Sequence, residues 1–312
     1  MERGVERSVQ VTHASAIPAQ PESVRAHLAL RRLKDLPAFS PQVNELLEVL
    51  SDENADIERL STAIENCPGL TARVLGLANS AYFALRNPVR TVADAVRVLG
   101  FNVVRSVGLA IIVQGPLDLT RCPRFQAERF WMSALLCGLL SRKAAELRAI
   151  PELDPDWAYL SGLLHTLGLP ALVHLFPEEM NEILAAAAEA DEVADGVEPP
   201  TLCQREAQRL GIDHRLAGAH VMERWGLPPL LARAARHHHD VEYRGEQWPL
   251  CLLVGLCSDW AEDLVAGVPE VALDAPVRRL LHLSEEQAGA VYTYGQQMLE
   301  PLHELARGLG QG

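Results

Sequence analysis

Apolar residues along this chain recur at three- and four-residue intervals, the spacing of one helix face, and seldom alternate as in a half-buried strand. The first periodic stretch begins near Val24 and continues through Leu28, Leu30 and Leu33, until Leu36-Pro37-Ala38-Phe39 breaks it. Ser40-Pro41 supplies an N-cap with a proline at the first helical position; Val43, Leu46, Leu47 and Leu50 form the stripe that follows. Ile57, Leu60 and Ile64 predict a third helix, stopped near Asn66-Cys67-Pro68-Gly69. Leu70, Val74, Leu77 and Ala78 predict a fourth, ending in Asn79-Ser80-Ala81-Tyr82-Phe83 before a turn at Asn87-Pro88. Thr91 with Asp94 reads as a capping box for a fifth, carrying Ala95, Val96 and Leu99 and closed by Gly100. These five short helices predict a helical lobe over residues 22–117, preceded by an aperiodic arm at 1–21.

Asp118–Arg124 has turn composition, with Pro116 before it and Pro123 inside it, and marks a boundary. A second helical set fills 118–240, with periodic stretches at Phe130–Leu147, Trp157–Phe176, Ala185–Ala190, Thr201–Leu210 and Leu216–Trp225. The acidic Asp191–Pro200 stretch reads as a loop. Residues 241–312 add helices at Trp248–Val265 and Ser284–Leu305, the latter opened by the capping box Ser284-Glu285-Glu286-Gln287. Leu252, Leu253, Leu256 and Trp260 give the first of these an apolar face that needs cover, so this part is predicted to dock on the second set. There is no internal repeat and no βαβ pattern; the fold class is all-α.

Composition narrows the function. The chain has 312 residues and a formal charge of −13, which argues against general nucleic-acid binding. Met1–Gln10 carries charges without an apolar core, so no signal peptide is predicted, and apolar runs such as Val107–Val113 are far shorter than the ~20 residues of a membrane helix. The six cysteines show no CxxC spacing; they read as reduced packing residues of a cytoplasmic protein, and no cysteine-built structural zinc is expected. Trp131, Trp225 and Trp260 fall within apolar stripes and are read as core.

The histidines are the chemical signal. Gly162-Leu163-Leu164-His165-Thr166-Leu167-Gly168 places one inside an apolar helical stretch, His214 opens Asp213-His214-Arg215-Leu216-Ala217-Gly218, and His237-His238-His239-Asp240 ends a helix. Three such segments meeting in one lobe would offer nitrogen donors to a divalent ion. The same groups also suit a structural role, with imidazolium complementing a helix C-terminus.

The ordered set of motifs resembles the HDOD domain, the HD-related output domain of bacterial signalling proteins. The resemblance spans about residues 28–240. It rests on Leu36-Pro37-x-x-Ser40-Pro41, Pro68-Gly69-Leu70-Thr71, Leu77-Ala78-Asn79-Ser80-Ala81-Tyr82-Phe83 and Thr91-Val92-x-x-Ala95-Val96-x-x-Leu99-Gly100 in the first half. In the second half it rests on Phe130-Trp131, Gly162-Leu163-Leu164-His165, Gly211-x-Asp213-His214-x-x-x-Gly218, Trp225-x-Leu227-Pro228 and His238-His239. It implies a two-lobed all-α fold: a five-helix N-lobe on a lobe related to HD-type metal phosphohydrolases. It marks Asn79 and Ser80 as diagnostic of the fold, with a structural role at a helix end.

Active HD relatives hold metal with an early histidine, an adjacent His-Asp pair and later His or Asp ligands, the carboxylate offsetting metal charge while the metals activate water. By that resemblance the early histidine falls on Met132, a soft thioether; His165 is kept; its aspartate partner is Thr166; and the lysine three residues later is Leu169. His214, His238 and His239 fall on later ligand positions. The cleft is therefore read as vestigial, with no catalytic residues, no metal and no cofactor expected. The expectation is a non-catalytic cytoplasmic signalling protein, linked to two-component or cyclic-dinucleotide pathways. It would act on partner proteins in trans, with no membrane partner. Two alternatives stay open. One is a metal-dependent phosphohydrolase or phosphodiesterase, with Asp213 or Asp240 as substitute ligands. The other is a sensor keeping a small ligand or one zinc-like ion in the old cleft through His165, His214 and His238 or His239.

Overall fold

A computed structural model describes residues 22–36, 43, 45–46, 48–49, 52, 55–79, 88–115, 117–147, 152–190, 200–268 and 276–310. Among them are fifteen helices and no strand. They are α1 (Glu22–Leu33), α2 (Ile57–Glu65), α3 (Pro68–Ala78), α4 (Val92–Leu99), α5 (Phe101–Gln114), α6 (Ala127–Glu146), α7 (Pro155–Leu164) and α8 (Gly168–Leu175). There follow α9 (Pro177–Ala190), α10 (Leu202–Leu210), α11 (His214–Arg224), α12 (Pro229–His237), α13 (Trp248–Ala266), α14 (Pro276–Leu280) and α15 (Glu285–Gly310). The sequence arm at 1–21 and the Ser40-Pro41 start lie outside the described residues, as does Ser80.

Helices α2 to α5 pack on one another. Asp56 caps α2 by accepting from the Arg59 amide at 2.8 Å, and Thr91 caps α4 through the Asp94 amide at 3.1 Å. Each cap satisfies an amide that the first helical turn leaves free. Gly100, at φ +90°, ends α4 and starts α5 in one corner, a conformation that favours glycine. Leu60, Ile64, Val74, Ala78, Val92, Ala95 and Val104 fill the space between these helices.

Helix α1 reaches helices far along the chain. It packs on α8, α10 and α11, burying Ala29 and Leu33. Gly211, at φ +81°, makes the approach possible: a Cβ there would lie 2.3 Å from the Ala26 nitrogen. Arg32 donates to the Leu175 carbonyl at 3.1 Å and lies over the Phe176 ring, and Arg224 donates to the Leu36 carbonyl at 3.3 Å. An amphipathic stripe states that a face needs cover without stating which helices cover it.

Helix α6 runs through the centre of the remaining helices, against α7, α13 and α15. Trp131, Leu135, Leu136 and Leu140 on α6 are fully enclosed, as is Trp260 on α13; Trp225 is buried nearby in sequence order after α11. Leu252, Leu253 and Leu256 turn inward on α13, which lies against α6, α7 and α12. The Ser284 box forms at α15: the Gln287 amide donates to Ser284 Oγ at 3.1 Å, and the Ser284 amide donates to Gln287 Oε1 at 2.9 Å. Residues 155–175 are apolar and long enough to cross a membrane by length and composition, but 78% of their most apolar window is buried inside the fold. They are apolar because neighbours surround them on all sides.

The stretch read as one helix from Trp157 to Phe176 is two helices. Leu167 donates to the Leu164 carbonyl and Leu169 to the Thr166 carbonyl, both at 2.9 Å, so the chain turns tightly at 165–167. His165 therefore stands at the C-terminal cap of α7, not inside a helix.

Candidate functional site

Close backbone crossings bring the histidine segments together. At Gly168, the first residue of α8, a Cβ would lie 1.9 Å from the His214 carbonyl oxygen and 2.4 Å from the Gly218 nitrogen. On α13, a Cβ at Gly255 would lie 1.9 Å from the His238 carbonyl oxygen. The residues after α7, the start of α11 and the end of α12 thus converge beside α13. His165 and His238 rings meet edge to face at 4.7 Å, the His238 and His239 rings are tilted at 4.1 Å, and His214 lies 5.9 Å from both His238 and His239.

Hydrogen bonds assign the protons. His165 Nδ1 lies 2.6 Å from the Gly162 carbonyl, which only accepts, so Nδ1 carries the proton and Nε2 accepts from the Ser258 hydroxyl at 2.8 Å. Both His165 nitrogens are engaged. His238 repeats the first half of this pattern, donating from Nδ1 to the Ala235 carbonyl at 2.8 Å, while its Nε2 is buried without a hydrogen-bond partner. His214 donates twice to Glu206 Oε2, from its backbone amide at 2.8 Å and from Nδ1 at 2.7 Å. Glu206 is fully buried, and its Oε1 has no hydrogen-bond partner. Half-buried Cys203, one turn before Glu206 on α10, places its sulfur 3.8 Å from both His214 ring nitrogens.

Charge follows from these contacts. Burial pushes His165 down to about 3, and the neighbouring His239 and His214 push the same way. Burial, then the other three imidazoles, holds His238 well below its ordinary value. Desolvation and the cations at His214 and Arg215 lower His239 to about 4. His214 goes the other way: burial opposes its charge, but the Glu206 carboxylate overcomes it and holds the ring well above the ordinary range. Glu206 thus favours the charged form of His214, while burial favours the neutral form of His165, His238 and His239.

Comparison with known proteins follows this geometry. The HDOD domain model matches residues 36–241. The chain belongs to the HDOD family. An uncharacterized protein of Treponema pallidum (strain Nichols) is 23% identical over 261 residues, covering 82% of this chain and 48% of that protein, so the chain spans about half the length of that curated relative. Among solved structures, a candidate signal-transduction protein from Marinobacter aquaeolei VT8 superposes with TM-score 0.75 at 21% identity, covering 92% of this chain and 65% of that one. A candidate phosphohydrolase from Shewanella amazonensis SB2B gives 0.68 at 24% identity, covering 91% and 98%. An HDOD domain protein of unknown function from Geobacter sulfurreducens gives 0.66 at 18% identity, covering 92% and 98%. At these identities the likeness shows the fold, which is all-α and shared with an HDOD domain protein.

The HDOD positions can now be placed. His165, His214, His238 and His239 are together, as their ligand positions in HD relatives imply. Met132 is buried on α6 and borders a groove with Arg129, Leu264, Leu299 and His303. Thr166 is half-buried in the turn after α7 and brings no carboxylate. The two acids considered as its replacement, Asp213 and Asp240, are engaged elsewhere. Asp213 caps α11 through the Leu216 amide at 2.9 Å and binds Arg215 Nε at 2.8 Å. Asp240 accepts from the Glu242 amide at 3.2 Å. The residues present therefore do not fit the dinuclear metal centre of the hydrolytic relatives. In the first half, the exposed Asn79 clamps a loop: Nδ2 donates to the Val89 carbonyl at 2.8 Å and Oδ1 accepts from the Val89 amide at 2.7 Å.

Sequence reasoning missed Glu206, Cys203 and Ser258. Glu206 had a readable signal: it lies four residues from both Leu202 and Leu210, on the inward face of α10. A carboxylate inside an apolar stripe implies a buried partner. Ser258, inside the apolar run of α13, carries the same kind of signal more weakly.

Proposed function

We propose that this HDOD chain is a non-catalytic signalling protein of the bacterial cytoplasm that acts by binding partner proteins in trans, without a catalytic metal, cofactor or membrane partner. The observation that carries the reading is His165, whose two ring nitrogens are spent on the Gly162 carbonyl and the Ser258 hydroxyl. A residue so engaged, with the uncharged Thr166 beside it in place of an aspartate, leaves no ring nitrogen for a catalytic metal and no adjacent carboxylate to bridge one. The fold shared with a candidate signal-transduction protein accords with the reading.

Its test is turnover. The full chain is assayed against nucleotides, cyclic dinucleotides and phosphate monoesters with Mn²⁺, Fe²⁺ or Zn²⁺, and no hydrolysis is expected. Turnover that His165→Ala abolishes overturns the proposal.

A further inference from the structure

We propose that Cys203, His214 and His239 form a mononuclear site for a soft divalent ion, with zinc as the ion of best fit. One sulfur and two imidazoles, from α10, the start of α11 and the end of α12, place donor atoms within 4.8 Å of one another. In a tetrahedral zinc site, with Zn–S of ~2.3 Å and Zn–N of ~2.0 Å, neighbouring S and N donors stand about 3.6 Å apart. Cys203 Sγ lies 3.8 Å from His214 Nε2 and equally 3.8 Å from Nδ1, so on loading the sulfur swings toward the Nε2 side of the ring and His239 closes on it.

The surroundings are those of a ligand set. Glu206 accepts from His214 Nδ1, so that nitrogen keeps its proton and Nε2 becomes the ligand atom once the incoming ion displaces its own proton, the carboxylate–histidine–metal arrangement that raises ligand basicity. The Cys203 thiolate and the Glu206 carboxylate together balance the two charges of the ion. Next to the site, His238 keeps a buried Nε2 without a hydrogen-bond partner. His239 is exposed, so the fourth position is on the solvent side and takes water. On loading, the thiol proton and any proton on His214 Nε2 leave to solvent. No redox step is involved.

This site is neither the dinuclear centre of hydrolytic relatives nor the His165-containing set considered from sequence. It draws on Cys203, which no HD ligand position supplies, and leaves His165 with Ser258. It does not rest on the non-catalytic reading, because occupancy is measured without a substrate. The bound ion would pin α10, α11 and α12 together beneath α1.

The full chain without a histidine tag is stripped with chelator and titrated with Co²⁺, then Zn²⁺. The expected result is one Co²⁺ per chain with a thiolate-to-cobalt charge-transfer band, bleached by Zn²⁺. Cys203→Ser should remove the band, and His239→Ala, at an exposed position, should weaken Zn²⁺ binding at least ~10-fold. Glu206→Gln should keep the band and weaken binding by ~10–100-fold. His237→Ala, which removes a neighbouring histidine stacked on Tyr243, should leave binding unchanged. Absence of a charge-transfer band, binding that survives Cys203→Ser, or binding lost in His237→Ala would overturn the site.

Discussion

Replacing Gly168 by alanine tests how the histidine segments are held together. The added methyl would lie 1.9 Å from the His214 carbonyl oxygen, 2.4 Å from the Gly218 nitrogen and 2.8 Å from the His214 carbonyl carbon. Ordinary carbon contacts begin near ~3.5 Å, so the α8–α11 crossing must open by about 1.5 Å. Overpacking costs about 1–3 kcal/mol where a side chain can turn aside. Here every obstructing atom is backbone and none can turn aside, which places the cost at about 3 kcal/mol, or a fall of ~5–10 °C in Tm. The control is Gly76→Ala on α3, where an added Cβ meets nothing within 4 Å. Alanine is favoured over glycine there by about 0.5–1 kcal/mol, so that variant should melt slightly higher. Thermal unfolding followed by circular dichroism reads both. If Gly168→Ala melts within ~1 °C of the parent while Gly76→Ala behaves as stated, the close crossing is wrong.

Three further outcomes follow from the polar groups of the cluster and of α13. Glu206→Ala strands the His214 ring and amide and should cost about 3–5 kcal/mol in urea unfolding, with Glu206→Gln costing less because an acceptor remains; equal stability of parent and Glu206→Ala would refute the buried pair. Ser258→Ala leaves His165 Nε2 buried and unpaired, and a loss of about 1–3 kcal/mol is expected; an unchanged urea midpoint would contradict that hydrogen bond. Asp259 is pushed up to about 6 by desolvation and by Glu262 and Asp263 on the same helix. Its folded value is above the unfolded value of ~3.9, so the ionised form opposes folding above about pH 6 and stops doing so as pH falls toward 4. Asp259→Asn should therefore raise Tm at pH 8 and leave it unchanged at pH 4, and an equal gain at both would contradict the shift.

Much of the fold is legible because its signals are local. Thr91-x-x-Asp94, Gly100 and Ser284-x-x-Gln287 each act within one turn, and each forms where the sequence places it. The break at His165 is not legible, because Leu163, Leu164, Leu167 and Leu172 are all buried and a helix enclosed on every side has no polar face to show where it bends. The docking of α1 is hidden for a different reason, since its partners lie far along the chain and nothing in its own stripe names them. At the site, histidine spacing is visible, but the groups that decide its chemistry are not. Ser258 reaches His165 across 93 residues, and Cys203 gains meaning only when α10 folds beside His214.

The crossing of α1 also bears on how the chain is made. Arg32 meets its carbonyl partner 143 residues later, and the Leu36 carbonyl meets Arg224 after 188 residues. At ~5–20 residues per second, the ribosome takes ~10–40 s to supply the second of these partners. Until then Ala29 and Leu33 have emerged without the surface that buries them. Helix α1 thus leaves the ribosome well before the helices that bury it, and the nascent chain presents an apolar face that a chaperone can hold until they are synthesised.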